Sequence, residues 1–284
     1  MKLLKNVVVS SIIALMLSSC YFESTLPGYQ FSLFKDTPVW ELAKAVRDED
    51  TATIKELIQK KHCDVNYRLS PRWGLTVLHL AVGNDKLLSV KTLLHYGAKQ
   101  VPDNSGNYPI HHIVNMSYPH SNRLEILELL LRHGADPNAS KIIHYKGDTT
   151  GYVWGVPLTY ATRNLECTKL LLQYGGNMNL RFYSPYGKQY TYDIWKSALP
   201  SANPSLKDEN VYVLKYLVLD KKMPVPDTLF LYWDKGKMLA RKFIDILNES
   251  EVENAIPEQK KAKEEILAYL KAEGYPKHGS LSFK

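Results

Sequence analysis

Three cysteines in 284 residues are too few for a disulfide scaffold. Neither charge sign dominates: 36 Lys and Arg stand against 29 Asp and Glu, a modest net charge of +7. Glycine and proline, at 15 each, are too sparse for a collagen-like or low-complexity chain. Long apolar runs are missing beyond the amino terminus, which excludes a multispanning membrane protein. There is no GxSxG turn, no phosphate-cradling glycine loop, no HExxH pair and no clustered carboxylate pair, so nothing in the sequence supports an enzyme. The length accommodates one or two domains, or one elongated array.

The first nineteen residues, MKLLKNVVVSSIIALMLSS, join a basic start at Lys2 and Lys5 to a short apolar stretch, Val7–Leu17. That is the length of a secretory signal and too short for a comfortable bilayer span. The stretch ends in Leu17-Ser18-Ser19-Cys20. Small residues before a cysteine at that distance resemble a bacterial lipobox. The resemblance implies cleavage before Cys20 and lipid attachment there, which tethers the mature chain without making it span the membrane. Tyr21 follows where an Asp would resemble an inner-membrane retention signal, so the expected location is the outer membrane, facing the periplasm. Removing Lys2 and Lys5 lowers the net charge from +7 to +5. The expected organisation is a signal peptide over 1–19, a lipidated tether over 20–35, a repeat array over 36–275 and a tail over 276–284.

Self-similarity organises the rest of the chain. VKTLLHYGAKQ (90–100), ILELLLRHGADPN (126–138) and CTKLLLQYGGNMN (167–179) are Leu-rich amphipathic patterns closed by Gly97, Gly134 and Gly175, 37 and 41 residues apart. A glycine just past a helix suits a left-handed cap. Each ending has a matching beginning: Gly74-Leu75-Thr76-Val77-Leu78-His79-Leu80-Ala81, Gly106-Asn107-Tyr108-Pro109-Ile110-His111-His112-Ile113 and Gly155-Val156-Pro157-Leu158-Thr159-Tyr160-Ala161. Proline fits the first helical turn, where its missing N–H costs little. Together these segments resemble the ankyrin family's G-x-T-P-L-H-x-A box, second helix and G-A-D-x-N ending. WELAKAV with TIKELIQKKHCDVN, TYDIWKSA with VYVLKYLVLDKKMPVPD, and MLARKFIDIL with AKEEILAYLKAEGY read as degenerate copies. The resemblance implies an all-α solenoid of about six helix-turn-helix repeats with long finger loops and atypical end repeats. It is strongest over 72–180 and fades beyond 190.

Residues in excess of the family's period fall at 116–123, 139–154 and 200–210, and such insertions map to loops. The fingers between repeats carry Tyr67, Arg68, Arg72, Trp73, Tyr108, Tyr145, Tyr152, Trp154, Arg181, Tyr183 and Tyr186. Tyr, Trp and Arg anchor protein interfaces, and successive fingers of a solenoid align on one side. These eleven residues are the expected protein-binding set; the alternative is that long fingers pack on one another with their own aromatics.

Nine histidines invite a catalytic reading. His79 and His111 fall at the box position that the resemblance makes structural, His95 and His133 fall near helix ends, where a cation is favoured, and no metal-ligand spacing occurs. No metal or cofactor is expected. Cys63 and Cys167 fall three repeats apart, beyond bridging distance for stacked helices, and are expected as free thiols.

The expected function is protein binding by a monomeric, lipid-anchored chain, with no nucleic-acid partner. A lipobox, ankyrin repeats and no catalytic motif together resemble immunity lipoproteins that neutralise envelope-targeted toxins, such as lipase effectors of type VI secretion. The alternatives are an accessory protein for a periplasmic enzyme such as a catalase, and an unrecognised enzyme within residues 190–284.

Overall fold

The computed structural model describes residues 28–69, 73–115, 120–143, 152–180, 182–184, 187–199, 210–234, 237–250 and 256–275. Cys20 and the signal-like segment lie outside them. Six helix pairs follow one another: α1 (Trp40–Arg47) with α2 (Thr51–Gln59), α3 (Val77–Gly83) with α4 (Leu87–His95), and α5 (Pro109–Val114) with α6 (Arg123–Arg132). Then come α7 (Pro157–Ala161) with α8 (Leu165–Gln173), α9 (Ile194–Ala198) with α10 (Asn210–Lys215), and α11 (Phe243–Glu249) with α12 (Pro257–Ala272). A π turn, Tyr216–Asp220, prolongs α10. No helix among the described residues is long and apolar enough to cross a membrane.

The first helices of successive pairs, α1, α3, α5, α7 and α9, stack as one layer, and the second helices, α2, α4, α6, α8 and α10, as another. The layers share one core. Leu78, Ile110 and Leu158 come from the first helices, and Leu93, Ile126, Leu130 and Leu171 from the second, all essentially without solvent contact. Apolar positions recurring every three to four residues put these side chains on one face of each helix.

Every described pair ends in a left-handed residue: His62 (φ 53°), Gly97 (83°), Gly134 (83°), Gly175 (90°), Lys222 (48°) and Gly274 (77°). That conformation turns the chain off the helix, and glycine adopts it without a Cβ penalty. Turns within a pair are tied to the next pair by acids. Glu49 Oε1 accepts from Leu88 N (2.8 Å), and the Asp85 carboxylate accepts from Ser121 N (2.7 Å) and Asn122 N. Asn66 and Asn138 make a second kind of link. The Oδ1 of each accepts from a later backbone N–H (Lys99 and Asn177, both 2.7 Å), while its Nδ2 donates to Gly97 O or Gly175 O.

Three features depart from the sequence-based expectation. The long fingers are not plain loops. β1 (Lys141–Ile143) pairs with β2 (Tyr152–Gly155), and β3 (Phe182–Ser184) with β4 (Gly187–Tyr192), in antiparallel hairpins inside an otherwise helical array. Their β-branched and aromatic content favours an extended backbone. Next, the start of MLARKFIDIL is not helical: β6 (Lys237–Lys242) pairs with β5 (Thr228–Asp234), and the helix begins only at Phe243. The β-prone run TLFLYWD supplies a partner strand that overrides helical propensity. Finally, the expected tether is already packed into the array at Tyr29. Phe31 and Phe34, on a 3-10 turn, are completely buried, because two aromatic rings bury too much apolar surface to remain in water.

Candidate functional site

The fingers are joined to one another at their bases and edges. In the first, Leu69 and Leu75 form an antiparallel bridge, with Gly74 N donating to Leu69 O at 2.7 Å. Gly74 is left-handed (φ 63°), and a Cβ there would both strain the backbone and displace the Asn104 side chain, whose Oδ1 lies 2.2 Å away. Two hydrogen bonds complete the join: Asn104 N donates to Trp73 O (2.9 Å) and Arg68 Nη2 to Pro102 O (2.9 Å). Further along, strand β2 of the third finger lies beside β3 of the fourth.

The eleven expected binding residues separate on this frame. Trp73 is exposed (39%) and Arg68 is exposed while holding the neighbouring finger. Tyr67 is half-buried, its ring edge-on to Phe34 at 6.3 Å between centroids. Tyr108 is half-buried against His111, at 5.9 Å. These two tyrosines pack in part on the array's own core, which fixes the finger bases. Tyr152 and Trp154 are placed on β2 and Tyr183 on β3. Arg72, Tyr145, Arg181 and Tyr186 lie outside the described residues.

Beneath the fingers runs a chain of buried imidazoles. Thr76 N donates to His79 Nδ1 (3.1 Å), which leaves the proton on Nε2 to be donated to Asn107 O at 3.3 Å. His111 repeats the pattern: its Nδ1 accepts from Tyr108 N (3.0 Å) and its Nε2 donates to Ala139 O (2.9 Å). Each ring thus closes the first turn of its own helix and holds the base of the following finger. In the next pair Thr159 takes this position; its Oγ1 accepts from Val156 N and donates to Val156 O, and among the described residues it has no finger carbonyl as partner. Burial pushes both His79 and His111 down to about 4, although Asp103 and the carbonyl bonds act in the opposite direction. Both are neutral at ordinary pH, in keeping with a positioning role.

Sequence reasoning missed the residues around this chain. His112 lies beside His79, at 5.9 Å between ring centroids, and 3.9 Å from the Asp103 carboxylate. The Tyr29 hydroxyl sits 2.7 Å from its Nδ1. Burial, then the neighbouring His79 and His111, hold His112 well below the usual histidine range. Tyr29 is seated over Gly83, where a Cβ would meet its ring at 2.8 Å, and Asn84 Nδ2 donates to its carbonyl at 2.9 Å. The His111-His112 pair was the visible signal; Tyr29, more than 80 positions away along the chain, had none.

Among the described residues no group of three or more His, Cys, Asp or Glu side chains is arranged to hold a metal ion. Cys63 and Cys167 are both free thiols, half-buried and buried respectively. Burial and Asp64 raise the Cys63 thiol, which keeps it protonated and weakly nucleophilic.

Helix pairs, left-handed caps and box histidines tied to finger carbonyls recur together over the first half of the array. Over residues 42–141 the sequence matches the family model for ankyrin repeats, in three copies. Residues 42–141 are thus similar to ankyrin repeats. The match spans about a third of the chain and takes in the first three helix pairs, the first two fingers and the box residues His79 and His111. No curated protein matches the chain. Ankyrin repeats are protein-interaction modules and are typically not enzymes, so the surface formed by the fingers points to a protein partner.

Proposed function

We propose that all six helix pairs form one ankyrin array, anchored through lipid at Cys20 in the outer membrane and facing the periplasm, and that its finger face binds another protein. One observation carries the reading: Arg68 and Trp73 of the first finger are hydrogen-bonded to Pro102 and Asn104 of the second, so the fingers present a joined surface with Trp73 at its exterior. A rigid surface bearing an exposed Trp binds at low entropic cost. The left-handed residue closing each of the six pairs supports extending the repeat unit to the carboxyl end.

The partner in this proposal is an envelope-targeted toxin, and the protein acts as its immunity lipoprotein by covering the toxin's active site. The lipobox-like LSSC, the interaction module and the absence of catalytic motifs in the sequence support that role. The test is co-expression with periplasm-directed lipase-type effectors. Wild type is expected to restore growth against one of them, Trp73→Ala to weaken binding to it by at least roughly tenfold, and Cys20→Ser to lose membrane association. If no such effector is neutralised, the immunity role is wrong. Should Trp73→Ala remain folded and bind a neutralised effector within twofold, the finger face is not the binding surface.

A further inference from the structure

A second surface lies on the outer helix layer, away from the fingers' joined edge. Helix α4 turns Leu88, Lys91, Thr92 and His95 outward, a stripe at positions i, i+3, i+4 and i+7. Leu88 is 52% exposed, so its apolar surface is open to a partner. The stripe is the floor of a groove of about 490 Å³ that reaches Lys55 on α2 and Leu129 with His133 at the end of α6. The groove therefore crosses three successive repeats.

Its charge is one-sided. Lys55, Lys91, His95 and His133 line it, and no Asp or Glu does. Four helix-surface cations elsewhere are matched by carboxylates: Lys44 with Glu41, Arg132 with Glu128, Lys169 with Glu166 and Lys215 with Glu265. Among the described residues no carboxylate pairs with Lys55 or Lys91. The nearby Glu49 is already engaged with Leu88 N. A groove that sets two lysines without a carboxylate partner beside an exposed leucine, and has no acid in its lining, is complementary to acidic side chains interspersed with apolar ones.

We propose that this outer groove binds an acidic amphipathic segment of a protein partner, with an apolar side chain seated on Leu88 and Leu129 and carboxylates at Lys55 and Lys91. The concave shape across three helices suits a narrow peptide segment better than a flat bilayer. The inference is independent of the finger-face reading and names a different contact.

The probe is a 16-residue amidated peptide of Glu, Leu and Ala with Leu and Glu sharing one helical face, titrated against the full-length protein in detergent. A peptide with Lys replacing Glu serves as the control. The expected result is saturable binding of the Glu peptide, weaker in salt and absent for the Lys peptide. Lys55→Glu with Lys91→Glu is expected to lose at least roughly tenfold, and Leu88→Ala about fivefold. Circular dichroism checks folding, which exposed substitutions should leave intact. Failure of the Glu peptide to saturate the protein, or binding of the charge-reversed variant within twofold, overturns the proposal. So does sedimentation with phosphatidylglycerol vesicles that depends on Lys55 and Lys91 without peptide binding, which would assign the groove to a membrane surface.

Discussion

The second and third helix pairs and the last two pairs have similar backbone plans but different polar fastenings. In α3–α6 the first helix begins with a buried histidine that reaches the following finger, and the second ends at glycine. In α9–α10 the first turn is capped locally by Asp193, which accepts from Lys196 N at 3.0 Å, and the pair closes at Lys222 rather than glycine. Asn210, on the second helix of that pair, donates to Ala198 O at the end of the first. The helix-pair geometry thus rests on apolar burial and a left-handed exit. The histidine does something further: it fixes the finger relative to the helices. The contrast between α3–α6 and α9–α10 is therefore between buried histidines that reach the next finger and a cap that stays within its own helix pair.

Removing the central fastening should give the largest effect. His79→Ala and His111→Ala each leave one buried and one part-buried partner unmade, Thr76 N and Asn107 O in one case and Ala139 O and Tyr108 N in the other. Each is expected to cost about 1–3 kcal/mol in urea denaturation, whereas Thr159→Ala, with no finger carbonyl at stake, should cost less. Equal losses at all three positions would erase the distinction between the pairs.

Acid should act on the same residues. His79 and His111 are pushed from 6.5 to about 4 by burial, so the unfolded chain binds protons that the folded chain does not. Their contribution is complete above pH ~6.5 and is lost as pH falls towards ~4, roughly 3 kcal/mol per histidine. His112 is shifted in the same direction and adds to the loss. The decline between these pH values should flatten in the His79→Ala, His111→Ala double variant, as urea midpoints measured at each pH would show.

Smaller effects should follow the caps. His62→Gly and Lys222→Gly are expected to stabilise by about 0.5–1 kcal/mol, since both residues are held at positive φ (53° and 48°) where glycine carries no Cβ penalty. Thermal melting should detect both, and a loss instead would mean that those side chains hold the end pairs in place. Smallest of all is Lys169→Ala. Its pair with Glu166 at 2.8 Å is solvent-exposed, and its removal should change stability by less than about 0.5 kcal/mol.

Much of this was legible along the chain. The box motifs located α3, α5 and α7, and Gly97, Gly134 and Gly175 located the exits, because local patterns encode local geometry. Hairpin pairing was not legible, since β5 is stabilised by a partner strand and MLARK taken alone satisfies a helical period. His62 and Lys222 escaped notice as cap residues because the left-handed conformation is imposed on them by the stacked repeats. The finger residues were read from the sequence as one binding set, whereas the inward packing of Tyr67 depends on Phe34, from a segment that resembled a tether. The outer groove escaped for a similar reason: Lys55, Leu88 and Leu129 belong to three repeats and meet only when these stack.

The central claim is that neutral, buried histidines fasten each central repeat to the next finger. Its most direct test is long-range proton–nitrogen NMR of the imidazole rings of His79 and His111 as a function of pH. The account predicts neutral rings with the proton on Nε2, unchanged through pH 6.5 and protonating only near 4. Ordinary titration of both rings near 6.5, or a proton on Nδ1, would contradict it.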